Sequence, residues 1–201
     1  MSPSAKSAYH HGDLRAALLD AAVQMLEQGE VFSIRAVARR AGVSPTAPYR
    51  HFADRQALES AVAVEGFRDL KTALTEGREL PSSAADLADF AVVYVSFALR
   101  RPAVFRLMFG NECDDSNDQR VQASGALHEL LAGAMASVYP DADAPALATA
   151  MWSLAHGLAF LHLDGKFPAS PAEDVAARVR ASFDAVLSLH AGSGSRTPGR
   201  E

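Results

Sequence analysis

The sequence predicts an all-α protein of about nine helices. Three observations lead there. Apolar residues recur at spacings of three and four almost everywhere, which a helical face explains and an alternating strand does not. Alanine, the strongest helix former, is abundant. Gly and Pro fall mostly between the periodic segments. The 201 residues suffice to bury a real core, as one large domain or two small ones, and a hydrophobic share of 49% is ordinary for a globular chain.

The elements follow in order. Residues 1–9 read as a disordered arm. Leu14, Leu18, Ala21 and Met25 share one face of a first helix, which Gly29 ends. Ser33 caps a short second helix with Ile34, Val37, Ala38 and Ala41 on its apolar side, closed by Gly42. Ser44 caps a third, with Pro45 at the first helical position and Pro48 still inside the first turn, where a helix tolerates it with some strain. Asp54 caps a fourth that runs to about Leu74.

After the Pro81-Ser82-Ser83 break, Leu87, Phe90, Tyr94 and Phe97 mark a fifth helix ending near Arg101-Pro102, and a short piece from Val104 to Phe109 follows. The acidic stretch from Glu112 to Asp118 reads as a loop. Leu127, Leu131, Met135 and Val138 define a helix before Tyr139-Pro140. Another opens at Asp143, carries Pro145 in its first turn and extends to about Leu163. Ser170-Pro171-Ala172-Glu173 is a capping-box pattern with proline at the first position, opening a last helix to about His190. Residues 191–201 read as a disordered tail. The expected organisation is a helix-turn-helix unit over 10–55 and a helical body over 56–190.

Charge is unevenly placed. Residues 1–55 hold seven basic and five acidic side chains, a net of +2, which leaves −7 for the rest of a chain whose formal charge is −5. A locally basic end on an acidic protein points to a polyanion partner at that end. The single cysteine, Cys113, excludes an internal disulfide framework and fits the cytoplasm. The N-terminus lacks the apolar core of a secretory signal, and no apolar run is expected to approach the ~18 residues of a membrane span, so no membrane role is expected.

Residues 33–52 hold the functional argument. Two short helices around Ala41-Gly42-Val43 cannot each bury a face alone, so they must pack on the first helix as a tight three-helix unit. Glycine at the turn allows the positive φ of a chain reversal. In a DNA-binding unit of this kind the later helix lies in the major groove. Ser44, Pro45, Thr46 and Ala47 are small enough there for close approach to base edges and thymine methyls. Tyr49, Arg50 and His51 supply hydrogen bonds and charge toward phosphate, Arg55 can reach the same backbone, and Ser33 and Arg35 complete the candidate set. Phe52 reads as core, and Arg39 and Arg40 as solvated.

These residues carry a resemblance. The run Gly42-Val43-Ser44, Tyr49-Arg50-His51-Phe52, Asp54-Arg55 and Ala57-Leu58 resembles the DNA-binding signature of the TetR (tetracycline-repressor) family. Leu14, Ala21-Ala22 and Ile34-Val37-Ala38 match it upstream, so the likeness spans residues 10–60. Arg55 stands where that family usually has Lys, which keeps the positive charge, and Pro48 at a groove-facing level is less usual. Trp152-Ser153-Leu154-Ala155-His156-Gly157 is similar to the Trp…His-Gly signature of one TetR subgroup, and Tyr9-His10-His11-Gly12-Asp13-Leu14-Arg15 fits that subgroup's start. The resemblance implies a transcriptional regulator, a repressor by default, with no cofactor.

The body is expected to dimerise. The Asp143–Leu163 helix has one stripe of Leu147, Met151, Leu154, Leu158 and Leu161 and another of Trp152, His156, Phe160 and Leu163. Leaving five large apolar side chains in water forfeits on the order of 8–15 kcal/mol at ~1.5–3 kcal/mol each, as much as a whole domain's stability. The last helix repeats the pattern, with Val175, Val179, Phe183 and Val186 on one side and Ala177, Ala181 and Ala185 on the other. The two helices are therefore expected to form a four-helix bundle with those of a second chain. The homodimer would read a near-palindromic operator in double-stranded DNA.

A small, largely apolar effector is expected in the body, lined by Phe90, Tyr94, Phe97, Phe105, Met108, Phe109, Trp152, His156 and Phe160. Plain core packing is the competing reading of the same aromatic stripe. Enzymatic activity is not expected. There is no nucleophile elbow, zinc-helix spacing or Gly-rich phosphate loop, and His156 and His162 lie six apart, which puts them on different helical faces.

Overall fold

In a computed structural model of the chain the structure describes residues 11–110 and 118–193. Among them are eight α-helices and no strand: α1 His11–Glu27, α2 Ile34–Arg40, α3 Arg55–Thr75, α4 Ala84–Arg100, α5 Pro102–Gly110, α6 Asp118–Val138, α7 Ala144–Leu163 and α8 Ala172–Ser193. A single 3-10 turn, Ala47–Arg50, lies between α2 and α3. The chain divides into two compact units, one up to Gly66 together with Ala103–Arg120, the other Phe67–Pro102 with the remainder from Val121. The arm over 1–9, Cys113 with its acidic neighbours up to Asn117, and the tail beyond Ser193 lie outside the described residues.

In the first unit the local signals act as their chemistry requires. Leu18, Ala22 and Met25 of α1 and Val37 and Ala38 of α2 are buried, and the two helices pack together. The Ser33 hydroxyl accepts from the Ala36 N–H at 3.2 Å, capping α2. Gly42 sits at φ +71°. There its N–H reaches the Arg39 carbonyl at 3.2 Å and the Val43 N–H reaches that of Ala38 at 3.0 Å, the paired closure that only a left-handed residue permits. The Asp54 carboxylate accepts from Ala57 N–H at 2.8 Å and caps α3.

The segment after Gly42 departs from expectation. No α-helix starts at Ser44. The Ala47 N–H bonds the Ser44 carbonyl at 3.0 Å, three residues back, and His51 N–H does the same to Pro48 at 2.9 Å. Pro45 and Pro48 both lack an N–H, so neither can donate an i→i−4 bond, and the tighter 3-10 turn is what remains. Ser44 is accordingly no cap: its hydroxyl pairs with that of Thr46 at 3.3 Å.

α5 also belongs to this unit, with Val104, Phe105 and Met108 buried. It lies close against Gly66 of α3, where a Cβ would stand 2.7 Å from the Met108 sulfur. Arg120, buried at the start of α6, donates to the carbonyls of Leu107 and Met108 at 2.8 and 2.7 Å and so terminates α5.

In the second unit α4 packs against α7 and α8, which also touch each other. Ser83 caps α4 through Asp86 N–H at 3.2 Å, and Asp143 caps α7 through Ala146 N–H at 3.1 Å. α7 is, contrary to the sequence reading, long and apolar enough by composition to cross a membrane. Thr149, Ser153, His156 and Gly157 break the run yet leave a mean hydropathy of 1.3. Here it buries Ala148, Met151, Ala155, Leu158, Ala159 and His162 inside the protein.

Three boundaries shift. α6 begins at Asp118, where composition predicts loop, and α8 reaches Ser193, beyond His190. Pro171 precedes α8, its carbonyl accepting from Val175 N–H at 3.3 Å. Leu187, with Val175, Val179 and Phe183, completes the buried side of α8, whereas Val186 is 40% exposed. At 100° per residue Val186 falls on the same side as Val175 and Val179, so its exposure is set by tertiary packing and not by its angle.

Candidate functional site

The first candidate surface is the ribbon from Ser44 to Arg55. Pro48 is buried and Phe52 is 3% exposed, so these two rings hold the 3-10 turn down on its unit. Pro48 therefore does not face outward, as the sequence reading had it. Around the two anchors Ser44, Pro45, Thr46, Tyr49 and Arg50 are exposed, and Ala47 and His51 are half-buried. Ser44 to Thr46 and Tyr49-Arg50 flank the buried Pro48, so the strip exposes hydroxyls, a phenol ring and a guanidinium.

The cations differ in how far they are committed. Arg55 is exposed, yet its Nε lies 2.7 Å from Glu59 Oε1 and its guanidinium 5.5 Å from the Phe32 ring centroid. Arg40 is not simply solvated: it bonds Glu30 at 2.7 Å and Gln28 at 2.8 Å, tying the end of α2 to the α1–α2 connection. Arg35 and Arg50 are exposed and form no side-chain ion pair among the described residues. The Ser33 hydroxyl is half-buried and already engaged as the α2 cap.

The second candidate is a cavity of about 40 Å3 in the second unit. Of the nine residues proposed from sequence, Phe90, Tyr94 and Trp152 line it. His156 stands behind them, bonded through Nδ1 to the Tyr94 hydroxyl at 3.0 Å, and Phe160 packs on His156 with ring centroids 4.8 Å apart. Phe97 is buried with the Arg101 guanidinium 6.0 Å from its ring centroid. Phe105, Met108 and Phe109 belong to the first unit and do not reach the cavity.

What sequence reasoning missed is the aliphatic wall. Leu127, Leu130, Leu131 and Met135 of α6 supply one side, with Leu74, Met151 and Phe183 completing it. A search for aromatics passes over such residues. The α6 heptad-like Leu spacing was the available signal, and it reads equally as core.

One polar relay crosses the cavity wall. Trp152 Nε1–H donates to the Tyr94 oxygen at 3.0 Å, and the same oxygen is 3.0 Å from His156 Nδ1. Burial pushes the Tyr94 phenol above its usual range and His156 below its own, so both favour their neutral forms.

Comparison with known proteins decides the family. Residues 18–62 match the model of bacterial regulatory proteins of the tetR family, and residues 87–188, half of the chain, match the tetracyclin repressor-like C-terminal domain. The chain belongs to the TetR family. TetR regulators bind DNA through the N-terminal helix-turn-helix and effectors through the C-terminal domain, and they are not enzymes. An uncharacterized HTH-type transcriptional regulator of Haemophilus influenzae is 31% identical over 114 residues, a match covering 55% of this chain and 56% of that protein.

Among solved structures, a Rhodococcus protein of unknown function is 35% identical, with a TM-score of 0.75, over 89% of this chain and 97% of that one. A tetR-family regulator from Streptomyces coelicolor shares the fold at a TM-score of 0.72 and 23% identity, covering 92% of this chain and 85% of that one. The TetR fold accounts for the two compact units and for helices throughout.

Proposed function

We propose that the chain is a homodimeric, cytoplasmic TetR-type repressor that leaves a near-palindromic operator when a small, largely apolar effector enters its C-terminal cavity. The observation that carries DNA binding is the outward strip of Ser44, Thr46, Tyr49 and Arg50, held by buried Pro48 and Phe52. Short hydroxyls and alanine allow approach to base edges, and Arg50 meets phosphate. The 3-10 turn offers fewer groove-facing residues than a full helix, so more of the affinity falls to backbone contacts from Arg35, His51 and Arg55.

Dimerisation rests on the uncovered sides of α7 and α8. Leu147 and Leu154 are half-buried, Leu161 is 38% exposed and Val186 40%, and Ala177, Ala181 and Ala185 are exposed. A second copy packed there would cover them and bring the two strips to successive major grooves, about 34–36 Å apart. An effector would act by spoiling that spacing. The cavity favours such a role: at about 40 Å3 it is well below the ~150 Å3 that admits a benzene ring, so occupancy has to part its walls.

The test is retardation of the chain's own upstream intergenic DNA over a salt series. Binding should weaken steeply as salt rises, through counterion release. Arg50→Ala and Tyr49→Ala should each lower affinity about tenfold or more, at ~1–3 kcal/mol per lost contact, while light scattering still reports a dimer. Variants that bind like the parent would remove the strip from the site.

A further inference from the structure

We infer that Glu59 presets the Arg55 guanidinium, stacked on Phe32, as a two-pronged clamp for one phosphate of the DNA backbone. Lysine at position 55 could not take over that role. This rests on the proposed DNA-binding role of Arg55 and adds Glu59 as the residue that positions it.

Arg55 sits where local helix chemistry does not favour it. It opens α3, and the positive end of the helix dipole disfavours a cation there. Its ion pair with Glu59, four residues on, has the less favourable order, acid after base. An exposed pair of this kind also adds little stability. Helix stabilisation is therefore a poor account of the pair. What it does fix is geometry.

Two contacts restrain the side chain in different ways. The Phe32 ring centroid lies 5.5 Å from the guanidinium carbon, within reach of cation–π attraction. The Nε–H donates to Glu59 Oε1 at 2.7 Å and limits turning over that ring. With Nε engaged, Nη1 and Nη2 keep their donors, and neither has a partner among the described residues. Those two nitrogens form the edge that can grip two oxygens of a phosphate at once.

Exposure divides the pair in the same sense: 63% of the Arg55 side chain is open to solvent and 16% of that of Glu59. The cation is accessible and the carboxylate largely covered. Phe32 directly precedes Ser33, so the guanidinium is held beside the start of α2 as well as following the 44–51 strip. A restrained arginine loses little further freedom on meeting phosphate. An ammonium in its place is a point charge with no plane to stack and a single prong.

Phosphate contact is independent of base sequence, so a fluorescently labelled duplex of arbitrary sequence at low salt serves as the probe. Full-length protein is titrated against it by anisotropy, with circular dichroism checking that each variant is folded. Glu59→Gln and Glu59→Ala both remove the negative charge, and only glutamine keeps an oxygen for the Arg55 Nε–H. Glu59→Gln should therefore bind at least about threefold more tightly than Glu59→Ala, the scale of one side chain left unrestrained. In the Arg55→Ala background that difference should vanish. Arg55→Ala should also flatten the slope of log affinity against log salt by about 0.9, one phosphate contact fewer. Arg55→Lys, with the charge kept, should bind about tenfold more weakly than the parent, the scale of one lost charge-assisted hydrogen bond.

Equal affinities for Glu59→Gln and Glu59→Ala overturn the inference, as does a difference between them that persists without Arg55. Arg55→Lys binding like the parent overturns it too, and all three results leave DNA binding itself in place. A parent that does not bind the duplex at low salt overturns the DNA-binding reading and this inference together.

Discussion

Two single residues carry disproportionate weight. Gly66 has no room for a side chain: a Cβ would stand 2.7 Å from Met108 Sδ and 2.9 Å from Val104 Cγ1, both on buried residues. Gly66→Ala should destabilise the fold by about 1–3 kcal/mol, the usual range for overpacking, read as a lower urea midpoint with an unchanged slope. His156 has a different signature. Its folded pKa lies below that of a free histidine, so the unfolded chain takes up the proton first on acidification. The associated stability is complete above the unfolded pKa of about 6.5 and is lost as pH falls through the folded value. Thermal midpoints should therefore drop between about pH 7.5 and pH 5, and His156→Gln should flatten that slope relative to the parent. Superimposable profiles would take His156 out of the pH response.

Elements explain where reading the chain worked and where it failed. Caps were legible because each needs one side chain and a local N–H: Ser33, Asp54 and Asp143 all accept where expected. Ser33→Ala should cost about 1 kcal/mol and lower the melting temperature by about 2–4 °C, without moving the boundaries of α3. The third helix was misread because two prolines at positions 45 and 48 remove donors from consecutive turns, and their joint effect exceeds what either does at a first turn. The missed cavity wall on α6 has another cause. Leucine at helical spacing says that a face is buried and leaves open what it is buried against.

For the molecule as a whole, the proposed function makes DNA recognition depend on dimerisation. Leu154 lies half-buried on the side of α7 that also carries exposed Leu161. Leu154→Glu should place a charge in the proposed interface. The expected result is a monomer by light scattering at micromolar concentration and a loss of operator affinity of at least about tenfold, because burying an unpaired carboxylate is strongly unfavourable. A dimer that persists with full DNA binding would move the interface elsewhere.

The sequence by itself determined the helical class, most element limits, the helix-turn-helix signature and the burial of Phe52, since these depend on periodicity, capping and short-range spacing. Tertiary structure alone decided that Pro48 points inward, that Val186 leaves the core face of α8 to Leu187, that α5 joins the first unit, and that Tyr94, Trp152 and His156 meet in one relay. Tyr94 and His156 are 62 positions apart, and no local pattern encodes a contact of that range. Periodicity fixes which side of a helix is apolar, whereas packing among several helices fixes which neighbour that side meets.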